Sequence, residues 1–249
     1  MPKLSERIEE YEQQYDYSII RRIPVVVRVD GKGFSKYTKL MKVKRPFDEV
    51  LSNAMVQSAL KVASKIEGCV FSYTQSDEAS FILLNDQSLE ATPWLGNRVQ
   101  KIISIVSSMF SVSFNALMTE RPAYFDARVF AVPNITEATN YLISRQNDCT
   151  RNSIQLAARY EVAGKLGKNT TLKQLNGLNT KQQQEFLFKE TGINWNDYPN
   201  KFKRGVGIYK ETFEKDIDGE KVLRSAWKID NEIPIFNSNM EFLQNILKR

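Results

Sequence analysis

The sequence predicts an α+β protein whose first half is a ferredoxin-like βαββαβ unit, an antiparallel sheet of four strands with helices on one face. Three observations predict this fold. Apolar β-branched and aromatic runs alternate with longer segments of helical periodicity in the order β-α-β-β-α-β. The second and third of these runs are separated by five residues, as in a hairpin. The rest of the chain has mostly helical patterns and one short hairpin, which indicates an extension rather than a second sheet.

Each element has its own signal. Residues 4–15 are a polar stretch with the pattern of a short helix, and residues 24–29 (PVVVRV) form a β-branched run that stops at Asp30-Gly31, as a strand does before a turn. Residues 47–66 repeat apolar positions every three to four residues after an acidic start, which predicts an amphipathic helix. The unit continues with strands 69–74 and 80–84, a serine-rich buried helix near 94–118, and a strand at about 125–132.

The second half of the chain is patterned differently. Residues 136–166 have helical periodicity, residues 170–200 contain two short helical stretches, and residues 206–229 predict a hairpin that turns at Asp218-Gly219. No linker rich in Pro, Gly or Ser separates the halves. We therefore expect two parts, 1–135 and 136–249, with the second packed on the first.

The amino-acid composition excludes several kinds of catalytic site and indicates a cellular compartment. Among 249 residues, 35 Lys and Arg stand against 29 Asp and Glu, a net charge of +6 that fits a phosphate-rich partner, and there is no histidine. Without imidazole there is no Ser-His-Asp or Cys-His nucleophile and no His-ligated zinc. Cys69 and Cys149 indicate free thiols in a reducing cytosol, with one disulfide as the alternative. With no apolar signal core and no run of about 20 apolar residues, we expect a cytoplasmic protein without a membrane partner.

Two carboxylates converge in the predicted sheet. Asp30 ends the first strand and Asp77 lies at the tip of the neighbouring hairpin, so the fold brings them to one place. Carboxylates that close repel, and a divalent cation or a shared proton relieves the repulsion. Mg²⁺ prefers such oxygen ligands together with substrate phosphates, and two metals would activate an attacking hydroxyl and stabilise a leaving pyrophosphate. The alternative is that both residues serve only as local turn formers, which suits aspartate equally well.

The residues after Asp30 favour the phosphate interpretation. The segment 30–35 (DGKGFS) has two glycines that allow close backbone approach to a ligand, although a lone G-x-G is a weak motif. Lys39, Lys42, Lys44 and Arg45 follow, a cationic stretch suited to a triphosphate or a nucleic acid, or equally to a solvated loop.

Several segments together resemble the tRNA(His) guanylyltransferase family. They are 28–34 (RVDGKGF), 75–78 (QSDE), 125–129 (FDARV) and 145–149 (RQNDC), followed by 185–188, 192–194 and 203–205 in the second half. The resemblance covers about residues 5–210. Members of this family are reverse-direction polymerases that add nucleotides to the 5′ end of tRNA, and their catalytic domain is similar to the palm of ordinary polymerases. The resemblance implies a palm-like catalytic domain over 1–135, a nucleotidyltransferase activity, and a homotetramer.

The resemblance also assigns roles to residues of this sequence. The catalytic candidates are Asp30, Asp77 and Glu78, and the ligands expected for two Mg²⁺ ions are Asp30, Gly31 and Asp77. Candidates for binding the nucleotide substrates, ATP or GTP, are Asp30, Gly31, Lys32, Gly33, Phe34, Ser35, Arg45, Ser76, Asp77, Arg128 and Asn152. Candidates for binding the tRNA backbone are Arg145, Arg151, Lys201, Lys203 and Arg204.

One segment departs from the family pattern. Eukaryotic members that add a single G at position −1 carry His-Ile-Asn-Asn-Leu-Tyr-Asn after the Asp-Cys pair, whereas this chain has 150–156 (TRNSIQL), in which only Asn152 persists. The chain is therefore similar to the guanylyltransferase-like branch associated with template-dependent 3′–5′ repair of 5′-truncated tRNAs. In that reaction a nucleoside triphosphate activates the 5′ phosphate as an adenylyl intermediate, and the 3′-hydroxyl of an incoming nucleotide attacks it.

Three alternatives stay open. The chain is a guanylyltransferase that adds G at position −1, or a nucleotide cyclase on the same palm-like sheet that needs no tRNA. A non-catalytic RNA-binding platform is the third, but such sheets expose aromatic residues on two strands, and strand 24–29 has none.

Overall fold

A single antiparallel sheet organises the molecule. The computed structural model describes residues 3–88, 90–217 and 220–248. Six strands lie in the order β4-β1-β3-β2-β5-β6, and every neighbouring pair is antiparallel. The strands are β1 (Val25–Gly31), β2 (Cys69–Gln75), β3 (Glu78–Leu83), β4 (Phe125–Ala131), β5 (Val206–Ile217) and β6 (Glu220–Asp230).

Nine helices and three short 3₁₀ turns (94–97, 195–197 and 236–238) surround this sheet in the described residues. The helices are α1 (Leu4–Gln13), α2 (Phe34–Leu40), α3 (Glu49–Ala63), α4 (Val99–Asn115), α5 (Ile135–Leu166), α6 (Lys168–Leu175), α7 (Thr180–Thr191), α8 (Asn200–Arg204) and α9 (Met240–Leu247). Several begin at side-chain caps that the sequence supplies. The Asp48 carboxylate accepts the Leu51 N–H at the start of α3, and Asn134 accepts the Glu137 N–H at the start of α5.

The first four strands confirm the predicted βαββαβ arrangement. Their order, β4-β1-β3-β2, places β1 beside both β3 and β4, and α3 and α4 pack on one face of them. Val27 and Phe81 from the strands meet Ala59 and Phe110 from the helices there, all fully buried. Each large apolar side chain buried in this way stabilises the fold by about 1.5–3 kcal/mol.

The second half of the chain completes the sheet and covers its other face. The predicted hairpin is β5–β6, and it joins the sheet, because β5 pairs with β2 in register from Phe71 to Thr74. The predicted turn at Asp218-Gly219 lies outside the described residues. The opposite face of the sheet is covered by α5 and α9, where Leu142 and Leu243 bury Phe71 and Ile82. The sheet is thus wider than the four predicted strands, and helices cover both of its faces.

Two local features differ from expectation. No helix was predicted between Asp30 and residue 47, but α2 begins at Phe34. The five-residue hairpin connection is only a two-residue turn, Ser76-Asp77, between Gln75 and Glu78. The turn is this short because Ser76 takes a left-handed backbone (φ 51°), a conformation that tight hairpin turns require.

Candidate active site

Carboxylates gather where β1 ends and where β3 and β4 begin. Asp30 on β1 lies directly opposite Glu78 on β3 and opposite Asp126 on β4. Residues directly opposite each other across antiparallel strands project from the same face, so these three acidic side chains form a row across the sheet. Arg28 and Arg128 form the next row inward on the same face. This end of the sheet therefore carries a row of carboxylates, and the next row inward carries guanidinium groups.

The structure brings Asp77 to Asp30, as the fold predicted. The Gly31 N–H donates to the Asp77 carbonyl at 3.0 Å, which ties the end of β1 to the hairpin turn. Burial raises the pKa of Asp77 above its usual range, and the negative charge of Asp30 raises it further, while the hydrogen bond from Ser76 opposes the shift. Asp77 is thus a partly desolvated carboxyl beside a second carboxylate.

Glu78 is buried and paired. The Arg145 guanidinium on α5 lies 3.0 Å from its Oε2 atom. Burial raises the pKa of Glu78, and the positive charges of Arg145 and Arg28 oppose that shift. Within the described residues, no group of three or more Cys, Asp or Glu side chains is placed around one point to hold a metal ion. A cation here would therefore need backbone and substrate oxygens as well as the aspartates.

The glycine-containing segment has a partly structural role. A Cβ atom on Gly31 would lie 2.2 Å from Cδ2 of Phe34, so only glycine fits at the end of β1. Gly33 has a φ of 67° and stands just before α2. The Phe34 ring is buried 4.9 Å from Tyr37 and 5.1 Å from Phe125 between ring centres. The Phe34 ring is therefore part of the core, and only the Phe34 backbone can make the predicted contact with a nucleotide.

A cavity of about 840 Å³ opens beside Asp77. This volume is in the range of small-molecule sites. Besides Asp77, five of the nucleotide-binding candidates line it, and they are Phe34, Ser35, Arg45, Ser76 and Asn152. Seven cationic side chains also line it, and they are Lys39, Lys42, Lys44, Arg45, Arg159, Lys168 and Lys201. Such a wall is suited to a polyanion.

Arg45 is held in the cavity wall by two neighbours. Its Nη2 atom donates to the Thr38 hydroxyl at 2.6 Å, and its guanidinium lies 5.2 Å from the centre of the Tyr160 ring. Sequence reasoning missed Thr38, Arg159 and Tyr160. The signal was present, because positions 152, 156, 159 and 160 recur at helical spacing and share one face of α5.

The five RNA-binding candidates occupy different environments. Arg151 is exposed and pairs with Asp148, Lys201 lines the cavity and pairs with Glu49, and Arg204 is half-buried. Arg145 and Lys203 do not fit the prediction, since both point inward. The Lys203 side chain donates to the Asn196 carbonyl and packs on Trp195, leaving the residue 8% exposed.

The segment that departs from the family pattern divides between two roles. The Thr150 hydroxyl donates to the Lys203 carbonyl at 3.1 Å and so anchors α8 to α5. Asn152 and Leu156 face the cavity instead. Two nucleotide candidates remain. Lys32 is exposed after the end of β1, and Arg128 is exposed on β4 beside Arg28.

Comparison with known proteins identifies the family. A family model described as tRNAHis guanylyltransferase matches residues 5–133, and one described as Thg1 C terminal domain matches residues 136–238. The chain belongs to the tRNA(His) guanylyltransferase family. It is accordingly a nucleotidyltransferase that acts on tRNA, and the resemblance seen in the sequence is confirmed.

Individual family members are similar over most of the chain. A probable tRNA(His) guanylyltransferase of Drosophila melanogaster is 31% identical over 87% of this chain and 75% of its own length. The tRNA(His) guanylyltransferase of Saccharomyces cerevisiae is 30% identical over 75% of this chain and 82% of its own length. Among solved structures, a bacterial Thg1-like protein in complex with ATP has a TM-score of 0.84 and 35% identity, with full coverage of both chains. The same kind of protein in complex with GTP has a TM-score of 0.82 and 36% identity, with 99% coverage of each chain.

Across residues 3–88, 90–217 and 220–248, no helix is both long and apolar enough to cross a bilayer.

Proposed function

We propose that this family member adds nucleotides in the 3′–5′ direction to the 5′ end of truncated tRNA, choosing each one by pairing with the opposite RNA strand. The observation that supports the proposal most is the position of Asp77, which lines a cationic cavity and whose carbonyl accepts the N–H of Gly31, the residue after Asp30. Solved relatives hold ATP or GTP, which supports nucleoside triphosphates as substrates. The departure at residues 150–156 supports repair of truncated tRNA over strict −1 addition.

The site suits divalent metal. The raised pKa of Asp77, caused by burial and by Asp30, is that of a carboxyl in need of a counter-charge. We propose that Asp30, Asp77 and the Gly31 carbonyl hold Mg²⁺, with two ions bound when the nucleotide phosphates supply the remaining oxygens. Bound Mg²⁺ would lower the barrier by neutralising phosphate charge and the leaving pyrophosphate.

The protein's own residues orient the reactants. Ser35, Ser76 and Asn152 line the cavity within reach of a nucleotide, and Arg45 balances triphosphate charge there. Lys32 and Gly33 lie between the end of β1 and α2, and we propose that this short connection approaches the phosphates. Arg128 would approach phosphate from the exposed surface of β4. No protein base is needed, which agrees with a chain that has no histidine.

In the proposed reaction two displacements follow each other. An oxygen of the tRNA 5′ phosphate attacks the α-phosphorus of ATP, releases pyrophosphate and forms an adenylylated 5′ end. The 3′-hydroxyl of the incoming nucleoside triphosphate then attacks the activated 5′ phosphorus, loses its proton to water and releases AMP. Arg151, Lys201 and Arg204 are the remaining candidates for contacts to the RNA backbone. We also propose that the protein works in the cytoplasm as a homotetramer. The boundary between its two structural parts, near residue 135, is likewise a proposal.

A second activity has its own support. The curated relatives are named tRNA(His) guanylyltransferases, which favours addition of G at position −1. The two activities are separated by offering the purified protein a tRNA that lacks its first 5′ nucleotide and an intact tRNA(His), each with the four nucleoside triphosphates and Mg²⁺. We expect faster extension of the truncated tRNA. The reverse preference would assign −1 guanylylation, and cyclic products from GTP alone would assign a cyclase.

The aspartates are tested by Asp30→Ala and Asp77→Ala. Each change removes charge stabilisation of several kcal/mol, so we expect nucleotide addition to slow by about 10³-fold or more while the protein still folds and binds tRNA. Asp16→Ala is the matched control, since its carboxylate pairs with Arg98 at the start of α4. Full activity in either site variant would refute the two-aspartate assignment.

A further inference from the structure

Arg145 is fully occupied by carboxylates inside the molecule. It lies on α5 with 15% of its side chain exposed. Its Nη1 atom is 3.0 Å from Oε2 and 3.4 Å from Oε1 of Glu78, and its Nη2 atom donates to Asp148 one helical turn further on. Both branches of the guanidinium therefore have partners, which leaves little of it for an RNA phosphate.

A chain of alternating charges runs from the sheet to the helix surface. Glu78 pairs with Arg145, Arg145 with Asp148, and the second oxygen of Asp148 lies 2.6 Å from Arg151. Exposure of the side chains rises along the chain, from 10% at Glu78 to 62% at Arg151. The inner pairs are the ones shielded from water, so they fix geometry better than a surface pair does.

Glu78 is the point at which this chain reaches the site. It follows Asp77 directly and lies opposite Asp30 in the β1–β3 register. Two like charges opposite each other repel and would push the strand ends apart, and the positive charge of Arg145 offsets that repulsion. Holding Glu78 also holds the turn that presents Asp77, whose carbonyl accepts the Gly31 N–H.

The same helix also forms a wall of the cavity. Cys149 and Asn152 line it from the turns of α5 that follow Arg145. A continuous helix moves as one piece, so its hold on Glu78 sets the position of the aspartates relative to the cavity wall.

From these contacts we infer that Arg145 is a positioning residue for nucleotidyl transfer: through Glu78 it fixes Asp30 and Asp77 relative to the cavity wall on α5, and it does not bind tRNA. The inference rests on the proposed function, because it takes the two aspartates as the reacting site. It replaces the RNA-binding role that the sequence suggested for this residue.

The test compares single and double variants in full-length protein. For Arg145→Gln we expect kcat for nucleotide addition to fall about 10- to 100-fold, the scale for losing a supporting partner of a site residue. The dissociation constant for tRNA and the KM for tRNA change less than about twofold. The double variant with Glu78→Gln is no slower than the slower single variant, because both act through one contact. Arg145→Lys restores part of kcat by returning the charge. Arg98→Gln, which breaks a surface pair with Asp16, is the control and keeps wild-type rates.

Two results would overturn the inference: weaker tRNA binding in Arg145→Gln with kcat unchanged, or effects of the two single variants that multiply in the double variant. Should Arg145→Gln fail to fold, Glu78→Gln removes the charge of the other partner in the same pair, and an unchanged kcat there overturns the inference. Asp77→Ala distinguishes failure of the proposed function from failure of the inference about Arg145. If it stays active, the proposed site is wrong, whereas an inactive Asp77→Ala beside a fully active Arg145→Gln refutes only the role of Arg145.

Discussion

The sharpest quantitative prediction concerns Arg45. Its guanidinium is set in the cavity wall by the Thr38 hydroxyl at 2.6 Å and the Tyr160 ring at 5.2 Å. Neither neighbour is an acid, so the positive charge stays available to a phosphate. Arg45→Ala removes the charge and keeps the fold, because the residue is exposed and belongs to no buried cluster.

The size of the effect follows from the interaction that the substitution removes. A hydrogen bond to a charged group contributes about 1.5–3 kcal/mol, which corresponds to roughly 10- to 150-fold in affinity. Arg45 is exposed, and water screens its charge, so we expect the lower end, about a tenfold rise in KM for the activating triphosphate. Arg45→Lys retains the charge but not the planar fork held by Thr38, so its KM lies between the two.

Pyrophosphate release from ATP in the presence of 5′-phosphorylated tRNA measures this KM. Inhibition by AMP serves as the internal control, because AMP lacks the β- and γ-phosphates. Because Arg45 is proposed to contact those phosphates, we expect Arg45→Ala to weaken the binding of ATP and to leave inhibition by AMP nearly unchanged. Equal weakening of both ligands, or no change in the KM for ATP, would refute the assignment. Arg98→Ala controls for general loss of positive charge.

Two further predictions concern electrostatics and stability. Burial raises the pKa of Asp77, and the negative charge of Asp30 raises it further. Asp30→Asn removes that charge, so we expect the pKa of Asp77 to fall in metal-free protein. Carboxyl ¹³C NMR measures this pKa, and an unchanged or higher value contradicts the coupling. Tyr73→Phe removes the donor that the Arg204 carbonyl accepts at 2.7 Å, which costs about 1–3 kcal/mol and lowers Tm by about 2–12 °C in thermal unfolding. Tyr124→Phe, at an exposed position, is the matched control, and an equal loss there would show that the buried hydrogen bond is not the cause.

The order of elements was enough to predict where the aspartates meet. Once the first half is arranged as βαββαβ, β1 must lie beside the β2–β3 hairpin, and the end of β1 becomes a neighbour of the hairpin turn. Pairing of β5 with β2 was not predictable in the same way. It depends on contacts between residues far apart in sequence, and the hairpin has the same local pattern whether it stands alone or joins a sheet.

The RNA-binding candidates were chosen for their charge, and charge does not report burial. Arg145 and Lys203 are basic residues in a chain that binds nucleic acid, yet packing of α5 and α8 turns both inward to carbonyl and carboxylate acceptors. The short helix α2 was missed because its seven residues are too few to show a period and its lysines resemble a solvated loop. Helical periodicity alone was enough to place Arg159 and Tyr160 on the cavity face of α5.

Helix α5 limits where the chain can be cut into separate parts. It is a single helix of 32 residues, about 48 Å long at 1.5 Å per residue, and it begins where one family region ends and the other starts. Its first turns cover the sheet through Leu142, its middle holds Glu78, and its later turns bound the cavity. A protein cut before Ile135 would thus keep both aspartates but expose an apolar sheet face and lose one wall of the cavity. The two regions are therefore separate as sequence motifs but inseparable as a working unit, and recombination between family members should succeed only when α5 and the first-half sheet come from the same parent.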